Sequence, residues 1–111
     1  MKLDTVFQEI LSPEFKGFPY GAEPLRLDAL GRQGWNLLRG DLPLPVAVLK
    51  DSALRNNSAW MRRFTEYFGV RIAPHGKTTM APQLFQQQLQ DGAWGITVAN
   101  IHQLRMCRNW G

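Results

Sequence analysis

One short segment of the chain, Pro74–Thr79, holds residue types that can do covalent chemistry together. It reads Pro-His-Gly-Lys-Thr-Thr and follows an apolar run, so it is predicted to leave the carboxyl end of a strand. That end is where α/β folds place their reactive groups. A phosphate-binding loop is excluded, because that motif requires a glycine five residues before Gly76 and Arg71 stands there.

Lys77 is the residue of this segment whose side chain can bond to an aldehyde cofactor. An amine condenses with a carbonyl only when it is deprotonated and held beside it, and lysine is the side chain that proteins adapt to this task. Gly76 is expected to let the backbone turn sharply and to leave space for a cofactor ring. A lysine after a glycine in a loop is more often simply solvated, so the spacing alone leaves both interpretations open.

Three apolar runs predict buried strands before and after this segment, at residues 46–49, 70–73 and 96–99. A helical pattern follows each of them. Strands that alternate with helices predict an α/β fold, since parallel neighbours need a crossover that a helix can provide. Residues 1–43 are dense in glycine and proline and are interpreted as an irregular extension, with two short helical patterns at 4–11 and 27–38.

The boundaries of the three helices follow from capping residues. The first helix is predicted to be capped by Asp51 or Ser52 and to end at Gly69. The second is predicted to begin at Pro82 and to stop at Gly92. The third is expected to use a capping box, with apolar residues along one stripe. The cap residues of the third helix are Asn100 and Gln103, and its stripe is Ile101, Leu104 and Cys107.

The residues around the lysine are similar to those of a known group of enzymes. Ala73–Met80 resembles the active-site segment of the D-threonine aldolase and D-serine dehydratase group, which includes bacterial amino acid deaminases. That group has the alanine racemase fold of pyridoxal-phosphate enzymes (fold type III). The similarity covers about residues 44 to 110 in the same order, through Leu44–Gly69, Pro82–Phe85, Gln88–Leu89 and Asp91–Ala99.

This resemblance implies an architecture, a cofactor and a site. The chain would be the N-terminal portion of a (β/α)8 barrel of TIM type, truncated after about two barrel strands, because a complete barrel takes about 250 residues. Residues 44–111 would form the partial barrel domain. Lys77 would carry pyridoxal 5'-phosphate as a Schiff base, His75 would transfer protons, and Thr78 would contact the cofactor. Purely structural roles for His75 and Thr78 stay open.

The activity implied by the same resemblance is that of a lyase. It would act at the α-carbon of a small-molecule D-amino acid, either as a deaminase and dehydratase or as an aldolase. The fragment by itself is expected to be inactive, and a full-length form is expected as a possible homodimer. Two alternatives remain: a non-catalytic pyridoxal-phosphate-binding protein of the homeostasis type, and an interaction fragment without a cofactor.

Composition excludes other classes of function. The net charge is +4 over 111 residues, but Arg62 and Arg63 are the only adjacent basic pair, so no nucleic-acid partner is expected. No apolar run reaches the roughly 20 residues of a membrane span, and one cysteine in the whole chain favours the cytoplasm. His75 and His102 are too far apart for a local metal motif. His102 is assigned to a helix turn, and Trp60 and Trp94 are interpreted as packing residues.

Overall fold

The computed structural model describes residues 2–111, and these fall into two compact units. The N-terminal unit is Asp4–Val48, and the C-terminal unit is Leu49–Gly111 together with residues 2–3. Both mix helices with extended segments, which agrees with the α/β class at this coarse level. Among the described residues, no helix is long and apolar enough to cross a membrane.

The N-terminal unit contains one antiparallel pair of strands, each two residues long. Helix α1 (Asp4–Phe7) leads into strand β1 (Ile10–Leu11), which pairs antiparallel with strand β2 (Leu25–Arg26). Two 3₁₀ turns follow, at Leu27–Arg32 and Leu37–Arg39. The prediction of a single helix over residues 4–11 is therefore wrong beyond Phe7, because the last apolar pair of that pattern joins a sheet.

The predicted helix over residues 27–38 is also wrong, since only the two 3₁₀ turns form there. Gly34 lies between them with a φ of +68°, in the left-handed region that no right-handed helix contains. The unit is held by Phe18, which is buried and meets Trp35 edge to face at a centroid distance of 5.4 Å. This aromatic contact adds to the backbone hydrogen bonds that close the two turns, such as Gln33 N to Leu30 O and Gly40 N to Leu37 O.

The C-terminal unit contains three longer helices: α2 (Asp51–Phe68), α3 (Pro82–Gln90) and α4 (Ile101–Asn109). The C-terminal ends of α2 and α3 lie at the two glycines that the sequence predicts to terminate them. Gly69 has a φ of +61° after α2, and Gly92 has a φ of +100° after α3. After α3, the Gly92 and Ala93 N–H groups donate to carbonyls of the last turn, which is a Schellman motif.

The N-terminal cap of α2 differs from the prediction. The helix already begins at Asp51, so Lys50 occupies the cap position and makes no side-chain capping bond. The Asp51 carboxylate instead accepts from Arg55 Nε at 2.7 Å, one turn further along the helix. Asp51 still helps the helix start, because a negative charge in the first turn interacts favourably with the helix dipole.

The predicted strands form only in part. Residues 46–49 adopt no regular element, so the prediction of a first strand is wrong. Residues 70–75 and 94–99, here called the first and second extended segments, run parallel and join at a bridge between His75 and Thr97. Gly76 N donates to Thr97 O and Thr97 N donates to Pro74 O, both at 2.8 Å. Helix α3 supplies the crossover between these segments, as a parallel pair requires.

Pro74 explains why these two segments do not form a longer ladder. In a regular parallel ladder the N–H of residue 74 would donate to the carbonyl of residue 95, and proline has no N–H. Beyond this gap the pairing is shifted by one residue. Trp94 N, and not Gly95 N, donates to Ile72 O, at 2.8 Å. The parallel arrangement survives through side-chain support from Thr97 Oγ1, which donates to Ala73 O at 2.9 Å.

The core of the C-terminal unit lies between α3 and α4. Phe85 is 1% exposed and packs against Trp110, with ring centroids 6.0 Å apart. The predicted apolar stripe of α4 is wrong for Ile101, which is 65% exposed, and for Leu104, which is also exposed, whereas Cys107 is half-buried. The half-buried side of that helix is formed instead by Gln103, Met106, Cys107 and the Trp110 that follows it.

Candidate functional site

The segment singled out by its chemistry forms a tight turn at the end of the first extended segment. Gly76–Thr78 is a single 3₁₀ turn, here called the lysine turn, and it directly follows the parallel bridge at His75. The Gly76 N–H donates across to Thr97, so the start of the turn is tied to the neighbouring segment. The lysine therefore leaves the carboxyl end of a parallel pair, the position at which α/β folds present reactive groups.

Gly76 has a different role from the one that the sequence predicts. It is buried, and its φ lies outside the left-handed region, so the turn does not need glycine for its backbone angles. A Cβ at this position would lie 2.5 Å from Phe85 Cζ and 2.9 Å from Ile96 Cγ2. The space beside Gly76 is thus filled by the core of the unit, and the expectation that it leaves room for a cofactor ring is wrong.

The three predicted site residues lie together on this turn, with their side chains exposed to solvent. His75 Nδ1 accepts a hydrogen bond from the Lys77 N–H at 3.3 Å and so caps the turn. A neutral imidazole that accepts at Nδ1 carries its proton on Nε2, which makes Nε2 a donor toward solvent. Within residues 2–111, Lys77 forms no ion pair and the Thr78 hydroxyl no hydrogen bond.

Met80 is a feature of this region that the sequence does not reveal. Its φ is +42°, which makes it the one non-glycine residue of the described chain in the left-handed region. The turn is closed just before it, because Thr79 N and Met80 N both donate to Gly76 O. Such a conformation costs about 1–3 kcal/mol and persists only where the surroundings impose it. Here the imposed geometry joins the lysine turn to Ala81 and Pro82 at the start of α3.

The remaining candidates from the sequence have structural positions. Asn100 Oδ1 accepts from Gln103 N at 2.9 Å, so the predicted cap of α4 is confirmed. Gln103 Oε1 accepts from Ala99 N, one residue before the position that a regular capping box uses. His102 is an exposed residue in the first turn of α4.

The packing roles predicted for two tryptophans are wrong within this chain. Trp60 is 54% exposed and Trp94 is 71% exposed. Among the residues that the structure describes, the ring of Trp60 stacks only on Phe64 of the same helix, with ring centroids 5.4 Å apart.

The turn fits one part of a pyridoxal-phosphate site. It provides an exposed amine without an ion-pair partner among the described residues, on a backbone fixed by buried contacts. Three cavities of the described chain are lined by other residues, and none of them includes His75, Lys77 or Thr78. The residues present thus fit the covalent attachment of the cofactor, while none of these three cavities holds its ring and phosphate at the turn.

Metal binding and similarity to other proteins add no further assignment. In the described part of the chain, no group of three or more His, Cys, Asp or Glu side chains is placed to hold a metal ion. No protein-family model matches the chain. No curated protein matches it at a significant level.

Proposed function

We propose that this chain is part of a pyridoxal-phosphate-dependent lyase that acts on D-amino acids, with Lys77 as the residue that holds the cofactor. The observation that carries the proposal is the position of Lys77. It lies on a 3₁₀ turn at the carboxyl end of one member of a parallel pair, and the backbone of that turn is tied to the other member. A fixed origin is what a covalently held cofactor needs, because its reacting atoms must stay in one place.

The proposed architecture is the first part of a (β/α)8 barrel of the alanine racemase type. Two consecutive extended segments run parallel and are each followed by a helix, α3 and α4. This order repeats the unit from which such barrels are built. The resemblance of Ala73–Met80 to the active-site segment of the D-threonine aldolase and D-serine dehydratase group supports the same assignment.

Each residue of the turn has a part in the proposed site. Lys77 Nζ would hold the aldehyde carbon of the cofactor, and the buried Gly76 keeps the lysine backbone in place. His75 is oriented by its Nδ1 hydrogen bond, so its Nε2 is the atom that would pass a proton to or from a bound molecule. Thr78 offers a hydroxyl beside the lysine. When bound, pyridoxal phosphate delocalises the electron pair left on the α-carbon after one of its bonds breaks.

The substrate and the class of reaction extend this proposal. A D-amino acid with a β-hydroxyl would lose its α-proton and then that hydroxyl as water, and hydrolysis of the resulting imine by water would give a 2-oxo acid and ammonia. Alternatively, its α–β bond would break to give glycine and an aldehyde. The choice depends on which bond is aligned with the cofactor electrons. A homodimer is proposed for the full-length form.

The proposal is tested by titrating the purified protein with pyridoxal phosphate and following the cofactor absorbance. Wild-type protein is expected to change the cofactor spectrum with saturation at one equivalent. Lys77→Ala is expected to abolish that change. Lys50→Ala is the matched control, because Lys50 is also exposed and its side chain makes no capping bond. Equal spectra for Lys77→Ala and Lys50→Ala would reject the assignment of Lys77.

A second measurement separates an enzyme from a cofactor carrier. Ammonia and aldehyde are assayed after the loaded protein is incubated with D-serine or D-threonine. Ammonia release indicates the deaminase, and aldehyde release indicates the aldolase. Because the fragment by itself is expected to be inactive, either product would establish an enzyme, whereas cofactor attachment at Lys77 without product agrees with both the lyase and the non-catalytic pyridoxal-phosphate-binding alternative.

A further inference from the structure

A cleft of about 300 Å³ lies between α2 and α3 in the C-terminal unit. Its floor is apolar and is formed by Leu54, Met61, Ile72 and Leu84. Its rim is polar and includes one basic and one acidic side chain, Arg62 and Asp91. The volume is at the lower end of the range of small-molecule sites, and an apolar floor with a few polar groups is their usual construction.

The acidic side of the rim is held in place by a contact between the two helices. Ser58 Oγ, on α2, donates to Oδ2 of Asp91, the residue that follows the last turn of α3. Among residues 2–111, no hydrogen bond reaches the second carboxylate oxygen, Oδ1. Asp91 therefore offers one oxygen of a fixed carboxylate to a bound molecule.

The basic side of the rim is one helical turn away. Arg62 follows Ser58 by four residues on α2, so their Cβ atoms are about 5–6 Å apart. In the described part of the chain, the Arg62 guanidinium forms no ion pair, either with Asp91 or with another acid. Arg62 and Asp91 thus border the same cleft with opposite charges, and within residues 2–111 neither forms an ion pair.

We propose that this cleft binds a small zwitterion, an amino acid with an apolar side chain. Its carboxylate would bind the Arg62 guanidinium, its ammonium group would bind Asp91 Oδ1, and its side chain would cover the apolar floor. Charge complementarity favours this ligand. An anion would bind Arg62 but leave Asp91 without a partner, and a cation would bind Asp91 but leave Arg62 without one.

This site is separate from the lysine turn. None of its lining residues belongs to Gly76–Thr78. The inference does not rest on the proposed lyase function, and either one can fail without the other.

The test is calorimetric titration of the protein with L-leucine and with two analogues that each lack one charge. Leucinamide lacks the carboxylate, and 4-methylpentanoate lacks the amine. The zwitterion is expected to bind at least tenfold more tightly than either analogue. Arg62→Gln and Asp91→Asn are each expected to weaken leucine binding tenfold or more. Arg63→Gln is the matched control, because Arg63 is the next residue on α2 and does not line the cleft.

A further variant separates charge from folding. Ser58→Ala removes the contact between the helices but keeps the Asp91 charge, so it is expected to weaken leucine binding by less than Asp91→Asn does. The proposal is overturned if folded wild-type protein binds leucine no better than 4-methylpentanoate. It is also overturned if Arg63→Gln weakens binding as much as Asp91→Asn does.

Discussion

Replacing Gly76 by alanine adds one methyl group at the most tightly packed point of the lysine turn. The new carbon would lie 2.5 Å from Phe85 Cζ, 2.8 Å from Phe85 Cε1 and 2.9 Å from Ile96 Cγ2. Carbon atoms in favourable contact are about 3.5–4.0 Å apart, so the neighbours must retreat by roughly 1 Å. Phe85 is 1% exposed, so its ring is enclosed by neighbouring atoms.

The expected cost of Gly76→Ala follows from this overlap. Overpacking a core typically destabilises a protein by about 1–3 kcal/mol. Because these contacts are very short, we expect Gly76→Ala to lower the free energy of unfolding by about 2–3 kcal/mol. The free energy of unfolding would be measured by urea denaturation with tryptophan fluorescence as the signal. The double variant Gly76→Ala/Phe85→Leu is expected to lose about 1 kcal/mol less stability than the sum of the two single changes. The smaller leucine side chain makes room for the new methyl group.

Gly95→Ala is the matched control for this experiment. Gly95 lies in the second extended segment, has no positive φ, and has open space where its Cβ would be. Alanine there is expected to leave the free energy of unfolding unchanged or to raise it by up to about 1 kcal/mol, because it restricts the unfolded chain. Equal stabilities for Gly76→Ala and Gly95→Ala would refute the packing role of Gly76, and so would strict additivity in the double variant.

Two further predictions concern other parts of the chain. Asn100→Ala removes the acceptor that caps α4 and is expected to lower the free energy of unfolding by about 1 kcal/mol, whereas Asn109→Ala at the opposite end should change it little in the same urea titration. The backbone N–H of Asn36 and then the Arg39 guanidinium lower the pKa of Asp41, whose Oδ2 accepts from both. Asp41 therefore contributes its full stabilisation when the pH is above the pKa that its carboxyl group has in the unfolded chain. This stabilisation is lost as the pH falls through the lowered pKa of the same group in the folded chain. An NMR titration of its carboxyl carbon should give a midpoint below that of an unstructured aspartate, and an ordinary midpoint would contradict the hydrogen bonds at this turn.

Three helix boundaries in the C-terminal unit could be predicted from the sequence because single residues determine them. Gly69 can adopt the left-handed conformation that ends a helix, and Pro82 needs no hydrogen-bond acceptor in a first turn. Asn100 carries the short acceptor that a helix start requires. These effects are local, so the three positions were identified correctly without knowledge of the rest of the fold.

Pairing and packing could not be predicted in the same way, because they depend on distant residues. The apolar run at residues 46–49 has the composition of a strand, but it has no regular pairing in the described chain. From the sequence, Gly76 is predicted to allow a sharp backbone turn or to leave space for a cofactor. In the structure, the residue that requires the small size of Gly76 is Phe85, nine positions later. The exposure of Trp94 likewise depends on which elements surround it, and hydrophobicity alone favours burial.

We propose Lys77 as the attachment point for pyridoxal phosphate. The most direct test is to incubate the purified protein with one equivalent of cofactor, reduce it with borohydride and map the modified peptides by mass spectrometry. We expect the added mass to be confined to the peptide that contains Lys77 and to be absent from Lys77→Ala. Labelling spread over Lys2, Lys16, Lys50 and Lys77 alike, or no labelling of folded protein, would contradict it.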